Sequence, residues 1–230
     1  MSIELPFSAY EQYPVSPFSF THSLSNEPLL ALKELLSIAK ILPPEMIECV
    51  SPHKNLQSII KLIENIETSS SWLIFRNLEQ LPKYKSLMEL VINKLIEKNL
   101  VNTNDFHNPM CFAFISSPLV KTPFHIDPEH NFLLQIRGTK IVKINDHGKN
   151  PIITEREISD FYKDEIGYSL RYNLNYEKSL DSVDLNPSTG VYIPVTYPHL
   201  VFNGNNISIS FSVTFRTAMS EEHRLRHIRQ

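Results

Sequence analysis

The chain has 230 residues, with 22 Lys and Arg against 25 Asp and Glu and a formal charge of −3 at neutral pH. That length allows one sizeable core, and the charge balance gives no basic surface of the kind nucleic acid requires, so no nucleic-acid partner is expected. Cys49 and Cys111 are too few for a disulfide framework or a Cys-x-x-Cys zinc site, no apolar run suits a transmembrane helix, and the first residues lack a signal-peptide pattern. These features predict a soluble, cytoplasmic protein without membrane contact; a homodimer is an open option.

Residues 1–26 are aromatic, Pro-containing and Ser-rich, which predicts an extended arm laid over a folded body. From Glu27 to Leu42 the residues Leu29, Leu32, Leu35, Leu36 and Ala39 recur at helical spacing until Pro43-Pro44 stops the pattern. A second helix is predicted over Leu56–Glu67 on Ile59, Ile60, Leu62, Ile63 and Ile66, and a third over Tyr84–Leu100. Between them "SWLIFRN" (71–77) reads as a short buried strand, with Trp72 filling the join between helices and sheet. Residues 1–105 are thus expected to form a mainly helical region.

After Asn104 the period shortens. "MCFAFIS" (110–116), "NFLLQI" (131–136), "KIVKIN" (140–145), "GVYIPV" (190–195) and "ISISFSVTF" (207–215) read as strands. In the last, Ile207, Ile209, Phe211, Val213 and Phe215 alternate with Ser208, Ser210, Ser212 and Thr214, giving one apolar face and one of small hydroxyls. "RGT" (137–139) is a hairpin turn, "TEREISDFYKDE" (154–165) an inserted helix, and 166–189 an irregular Tyr- and Asn-rich excursion. Residues 106–220 therefore read as a β barrel or jelly roll with helices packed outside, followed by a basic, solvated tail at 221–230.

Three residues carry the metal chemistry. His125 and Asp127, at i and i+2 beside a strand, can point the same way, and His199 follows in a Pro-bounded loop after another strand. Two imidazoles and one carboxylate form the facial triad of non-haem Fe(II) oxygenases, which leaves positions open for cosubstrate and O₂. An isolated His-x-Asp is more often a turn with a surface histidine and a capping aspartate. Lys140 weighs against that: a lysine in an apolar strand is costly unless its charge is paired, and a dicarboxylic acid chelating the metal would bring its far carboxylate there. The competing role for Lys140 is that of an edge-strand gatekeeper.

The segments "TPFHID", "NFLLQIRGTK", "PHLVFNG" and "ISISFSVTF" resemble the cupin-like JmjC family of Fe(II)/2-oxoglutarate oxygenases, and within it the branch of the hypoxia-response asparaginyl hydroxylase. The resemblance covers roughly 110–216 and implies a double-stranded β-helix catalytic core. It implies iron on His125, Asp127 and His199, the distal carboxylate of 2-oxoglutarate on Lys140 and Thr122, and further cosubstrate contacts from Asn131 and Ser212. The family's pocket tyrosine is missing: "MCFAFISS" offers Phe112, Phe114 and Ser116 instead. Glu129 and His130 are expected at the mouth of the site, and Arg171, Tyr172 and Tyr176 in a loop over it, as candidate substrate contacts. The implied reaction consumes O₂ and hydroxylates a peptide or protein side chain; hydroxylation of a free amino acid or small metabolite, demethylation, and a non-catalytic metabolite-sensing cupin stay open.

Overall fold

A computed structural model describes residues 1–49, 55–164, 170 and 172–229. In chain order the elements are β1 (Ile3–Glu4), α1 (Ala9–Gln12), β2 (Phe18–His22), α2 (Leu32–Ala39), β3 (Ile47–Cys49), α3 (Leu56–Glu64), β4 (Trp72–Phe75), α4 (Pro82–Glu97), β5 (His107–Ser116) and β6 (Lys121–His125). There follow β7 (His130–Arg137), β8 (Lys140–Ile144), α5 (Glu155–Asp164), β9 (Asp181–Leu185), β10 (Thr189–Ile193), β11 (His199–Asn203), β12 (Ser208–Arg216) and α6 (Ala218–Ile228).

The strands pair antiparallel in two sheets, a major one ordered β1-β2-β10-β7-β12-β5-β4-β3 and a minor one ordered β6-β11-β8-β9. From β5 onward the chain passes back and forth between the sheets, which is the double-stranded β-helix expected from the sequence. Leu133, Val191 and Ile193 of the major sheet pack against Val142, Ile144, Leu185 and Val201 of the minor sheet, closing the barrel. The alternation in β12 decides which way each face turns. Ile209, Phe211, Val213 and Phe215 join Leu87, Val91 and Leu95 of α4 in the helix-side core. Ser208, Ser210, Ser212 and Thr214 are buried on the opposite face, inside the barrel.

The first 105 residues are less helical than their periodicity suggests. The arm supplies β2, which pairs with β10, and β3 and β4 extend the major sheet beyond β5. One apolar core runs across this region and the barrel. Strands this short draw their stability from distant partners and leave little local pattern to read. The same holds for β9, which lies inside the segment expected to be irregular. The basic tail is a helix, α6, opened by a capping box between Thr217 and Ser220. Its arginines lie outward while His227 is buried and bonds to Glu155 of α5 at 2.8 Å, so a solvated end becomes a packed one. No described helix is long and apolar enough to cross a membrane.

The hairpin between β7 and β8 fixes where Lys140 enters the barrel. Gly138 holds φ at +69°, and a Cβ there would lie 2.4 Å from the carbonyl oxygen of Ile207. Gly138→Ala combines a disfavoured backbone angle with that clash, so chemical denaturation should show a loss of about 1–3 kcal/mol.

Candidate metal centre

β11 runs between β8 and β6. Its first residue, His199, lies opposite His125, the last residue of β6, and Val201 lies opposite Thr122. Two residues of β11 are matched by three of β6, so β6 carries a β-bulge. Simple alternation would send Thr122 and His125 to opposite faces. The bulge turns both inward, while Phe124 points outward to pack with Ile126 and Leu200. The loop that follows is anchored where the carbonyl of Asp127 accepts the N–H of Thr196 at 2.8 Å.

The ligand atoms of His125, Asp127 and His199 lie within 4.8 Å of one another, the one such cluster among the described residues. Asp127 Oδ2 is 3.6 Å from His199 Nε2, and Oδ1 is 4.0 Å from His125 Nε2. Both rings are oriented by their other nitrogen. His125 Nδ1 bonds to the carbonyl of Pro123 at 2.7 Å, and His199 Nδ1 to that of Tyr197 at 2.9 Å. A carbonyl only accepts, so each Nδ1 carries a proton and it is each Nε2 that faces the cluster as the possible ligand atom. Burial holds His199 down at about 4; the neighbouring His125 adds to this and Asp127 opposes it. His199 is therefore neutral, as a ligand must be, at physiological pH.

Deeper in the barrel, Lys140 lies opposite Asn203 of β11 and Leu185 of β9. It is 5% exposed, and its Nζ sits 5.7 Å from the ring centre of Phe114. None of the ion pairs between described residues involves it, and burial lowers its ammonium to about 8. The surrounding wall is polar. Gln135 donates to Ser208 and accepts from Ser210, Ser212 donates to Asn131, and the Oδ1 of Asn203 and the hydroxyl of Thr214 are buried without a partner. Thr122, Asn131 and Ser212 thus share the inner surface with Lys140 and the histidines.

The expected mouth residues lie elsewhere. His130 faces the helix-side core, bonding to Tyr192 and Thr217 at 2.7 and 3.2 Å, and burial lowers it to about 4. It stands on the same face of β7 as Phe132, away from the metal ligands. Glu129 is bound at 2.9 Å by Arg216, which also holds Glu221 of α6, and burial raises its carboxyl despite that pairing. Tyr172 and Tyr176 pack against Phe124 on the outer face of the minor sheet, where Glu177 also pairs with Lys143. They cover that face and leave the barrel interior alone; Tyr168 and Arg171 lie outside the described residues. Trp72 is only partly buried, on the opposite face of β4, and Leu73 and Phe75 fill the helix-side join instead. The sequence reading missed Gln135, Asn203 and Ser210, although each stands at an even spacing from an inward residue.

No family model and no curated protein matches the chain. Solved structures do. The X-ray structure of Escherichia coli YcfD superposes with a TM-score of 0.60 at 14% identity, over 94% of this chain and 55% of that one. The ribosomal oxygenase YcfD gives 0.59 at 14% identity over 96% of this chain and 55% of that one, and its complex with cobalt and 2-oxoglutarate gives 0.60 at 14% over 96% and 54%. The chain spans about half the length of these structures and shares the fold of their matching part.

His125→Ala and His199→Ala should each abolish Co(II) binding in calorimetry while leaving the circular dichroism spectrum unchanged. Arg216→Met keeps all three ligands but frees Glu129, two residues from Asp127, and should weaken Co(II) binding about tenfold.

Proposed function

We propose that the chain is an Fe(II)- and 2-oxoglutarate-dependent oxygenase that hydroxylates a side chain of a protein. The observation that carries this reading is the buried Lys140 ammonium, without a protein counter-ion among the described residues, on the same inner surface as a His-Asp-His cluster. A buried cation without a partner is costly. A dicarboxylate bound to the metal at one end and to Lys140 at the other removes that cost. The likeness to a ribosomal oxygenase solved with cobalt and 2-oxoglutarate supports the same assignment and a protein substrate. The tie to the asparaginyl-hydroxylase branch rests on the sequence motifs alone.

The donor set fits iron. Two oriented Nε2 lone pairs and a carboxylate lie on one side of the site, a ligand choice that suits a divalent metal with exchangeable positions. When bound, iron with 2-oxoglutarate and O₂ supplies the oxidising power to hydroxylate an unactivated C–H bond, with release of succinate and CO₂. The chain's own residues do the rest. Lys140 and the inward hydroxyl of Thr122 orient the distal carboxylate, and Asn131, linked to Ser212, lines the space between it and the metal ligands. The apolar side chains of Val142, Ile144, Val191 and Ile193 pack between the sheets beside these polar groups and keep water from them. A reducing cytoplasm suits Fe(II). A free amino acid or small metabolite is the rival substrate class.

Purified protein supplied with Fe(II), ascorbate and 2-oxoglutarate should form succinate in air; no succinate above a metal-free control would refute the reading. Lys140→Met should retain metal while weakening 2-oxoglutarate by about 2–5 kcal/mol, about thirtyfold or more. The pH dependence follows from the same group. The ammonium is fully charged below its value of about 8 and is lost above it, so 2-oxoglutarate affinity should fall as pH rises through about 8. Calorimetry on Lys140→Met should show no such fall.

A further inference from the structure

Lys140 and Asn203 face each other across β8 and β11. One step along the ladder the Gly204 N–H donates to the Thr139 carbonyl at 2.8 Å, so Thr139 and Gly204 form a hydrogen-bonded pair. Lys140 and Asn203 are then a non-hydrogen-bonded pair, the kind in which opposed side chains stand closest, with Cα atoms ~4.5 Å apart. Both turn inward, next in phase to Val142 and Val201, which pack together between the sheets. Asn203 is 6% exposed, and its amide is held in one orientation. Nδ2 donates to the carbonyl of Val120 at 3.0 Å, and the main-chain N–H of Asn203 donates to the same oxygen. A carbonyl only accepts, so the amide nitrogen must lie on that side and Oδ1 on the other. Oδ1 is thus a buried acceptor without a partner, on the residue opposite a buried ammonium without a counter-ion among the described residues.

We propose that Asn203 is the positioning residue for the cosubstrate-binding lysine: its Oδ1 accepts one hydrogen of the Lys140 ammonium and leaves the other two for the distal carboxylate. The proposal rests on the oxygenase reading above and adds to it a residue that never touches the carboxylate. An ammonium only donates and an amide oxygen only accepts, so Oδ1 suits the lysine and would repel the cosubstrate. A buried acceptor left unmade and a buried cation left unpaired are both costly, and one contact relieves both. The flexible four-carbon stem of the lysine brings Nζ to Oδ1 without movement of either strand. No charged neighbour competes for it. Inside the barrel β5 presents Phe114, β6 Thr122, β7 Gln135, β9 Val183 and Leu185, β10 Val191, and β12 Ser208 and Ser210, none of which ionises. Asp181, at the far end of β9, is exposed, and the metal ligand His199 stands at the opposite end of β11.

The ammonium can be read directly in the full chain, without metal or cosubstrate, by NMR of lysine labelled with carbon-13 at Cε. The resonance missing from Lys140→Met is followed against pH. Asn203→Leu keeps a branched side chain of similar shape and leaves the Val120 carbonyl its main-chain donor. It should lower the Lys140 midpoint by about one pH unit, a tenfold change in protonation, because the charged form loses its acceptor. Asn203→Asp, which puts an anion in the same place, should raise the midpoint. A merely structural residue would not shift it in opposite directions. With Co(II) bound at neutral pH, Asn203→Leu should weaken 2-oxoglutarate about tenfold in calorimetry, yet cost nothing further in the Lys140→Met background. Unchanged Co(II) affinity in both variants shows the fold and the ligand cluster intact. If neither variant moves the Lys140 midpoint, or if Asn203→Leu weakens 2-oxoglutarate equally with and without the lysine, the assignment is refuted. A wild type whose 2-oxoglutarate binding is indifferent to Lys140→Met overturns the oxygenase reading instead, and the titration still decides whether Asn203 holds the lysine.

Discussion

The site depends on one strand pairing. His199 opposes His125 across β11 and β6, and the extra residue in β6 before that pair lets Thr122 face inward as well. Without the bulge, a strand carrying an inward His125 would turn Thr122 to the outer face, where Phe124 and Leu200 already pack against Tyr176. The bulge thereby separates two faces on one five-residue strand: polar groups turned toward the His-Asp-His cluster and the barrel interior, and an aromatic anchor turned toward the outer cover. The backbone carbonyls of Pro123 and Tyr197 then set both imidazoles, so the ligand geometry is held by main chain on two adjacent strands.

The second constraint is electrostatic. The barrel is lined by small hydroxyls and amides at one level and by aliphatic side chains at another, and Lys140 is its buried cation. Its Nζ lies 5.7 Å from the ring centre of Phe114, on the strand from which the resemblance implied a pocket tyrosine. A phenyl ring can face an ammonium through its π surface but donates no hydrogen bond to a carboxylate. The cradle proposed for 2-oxoglutarate therefore leans on Lys140 and Thr122, and Lys140 is the group whose loss costs most.

Much of this was legible in the sequence where a local rule applied. The period-two pattern of 207–215 identified β12 and its two faces, the Arg-Gly-Thr turn marked the hairpin, and its place in an apolar strand singled out Lys140. What escaped were features set by distant partners. The strands β2, β3 and β9 are short and take their identity from β10, β4 and β8. His130 looked like a mouth residue because it sits beside the metal motif, yet β7 begins there and alternation sends it to the opposite side of the sheet from Asn131. Glu129 looked free because Arg216 is far along the chain. The Tyr-rich segment carried the composition of a binding loop, but its aromatic rings are spent on Phe124. Trp72 was misplaced by one residue of strand phase, and that single step moves it from the helix-side core to the opposite face of β4.

The central claim is that one bound molecule joins the His-Asp-His cluster to Lys140. Anaerobic addition of Fe(II) and 2-oxoglutarate to the wild-type chain, followed by visible absorption, tests it most directly. The expected result is a weak charge-transfer band that needs both components, is absent in His199→Ala, and in Lys140→Met appears only at much higher 2-oxoglutarate. A wild-type protein that binds Fe(II) but develops no band at any 2-oxoglutarate concentration would contradict it.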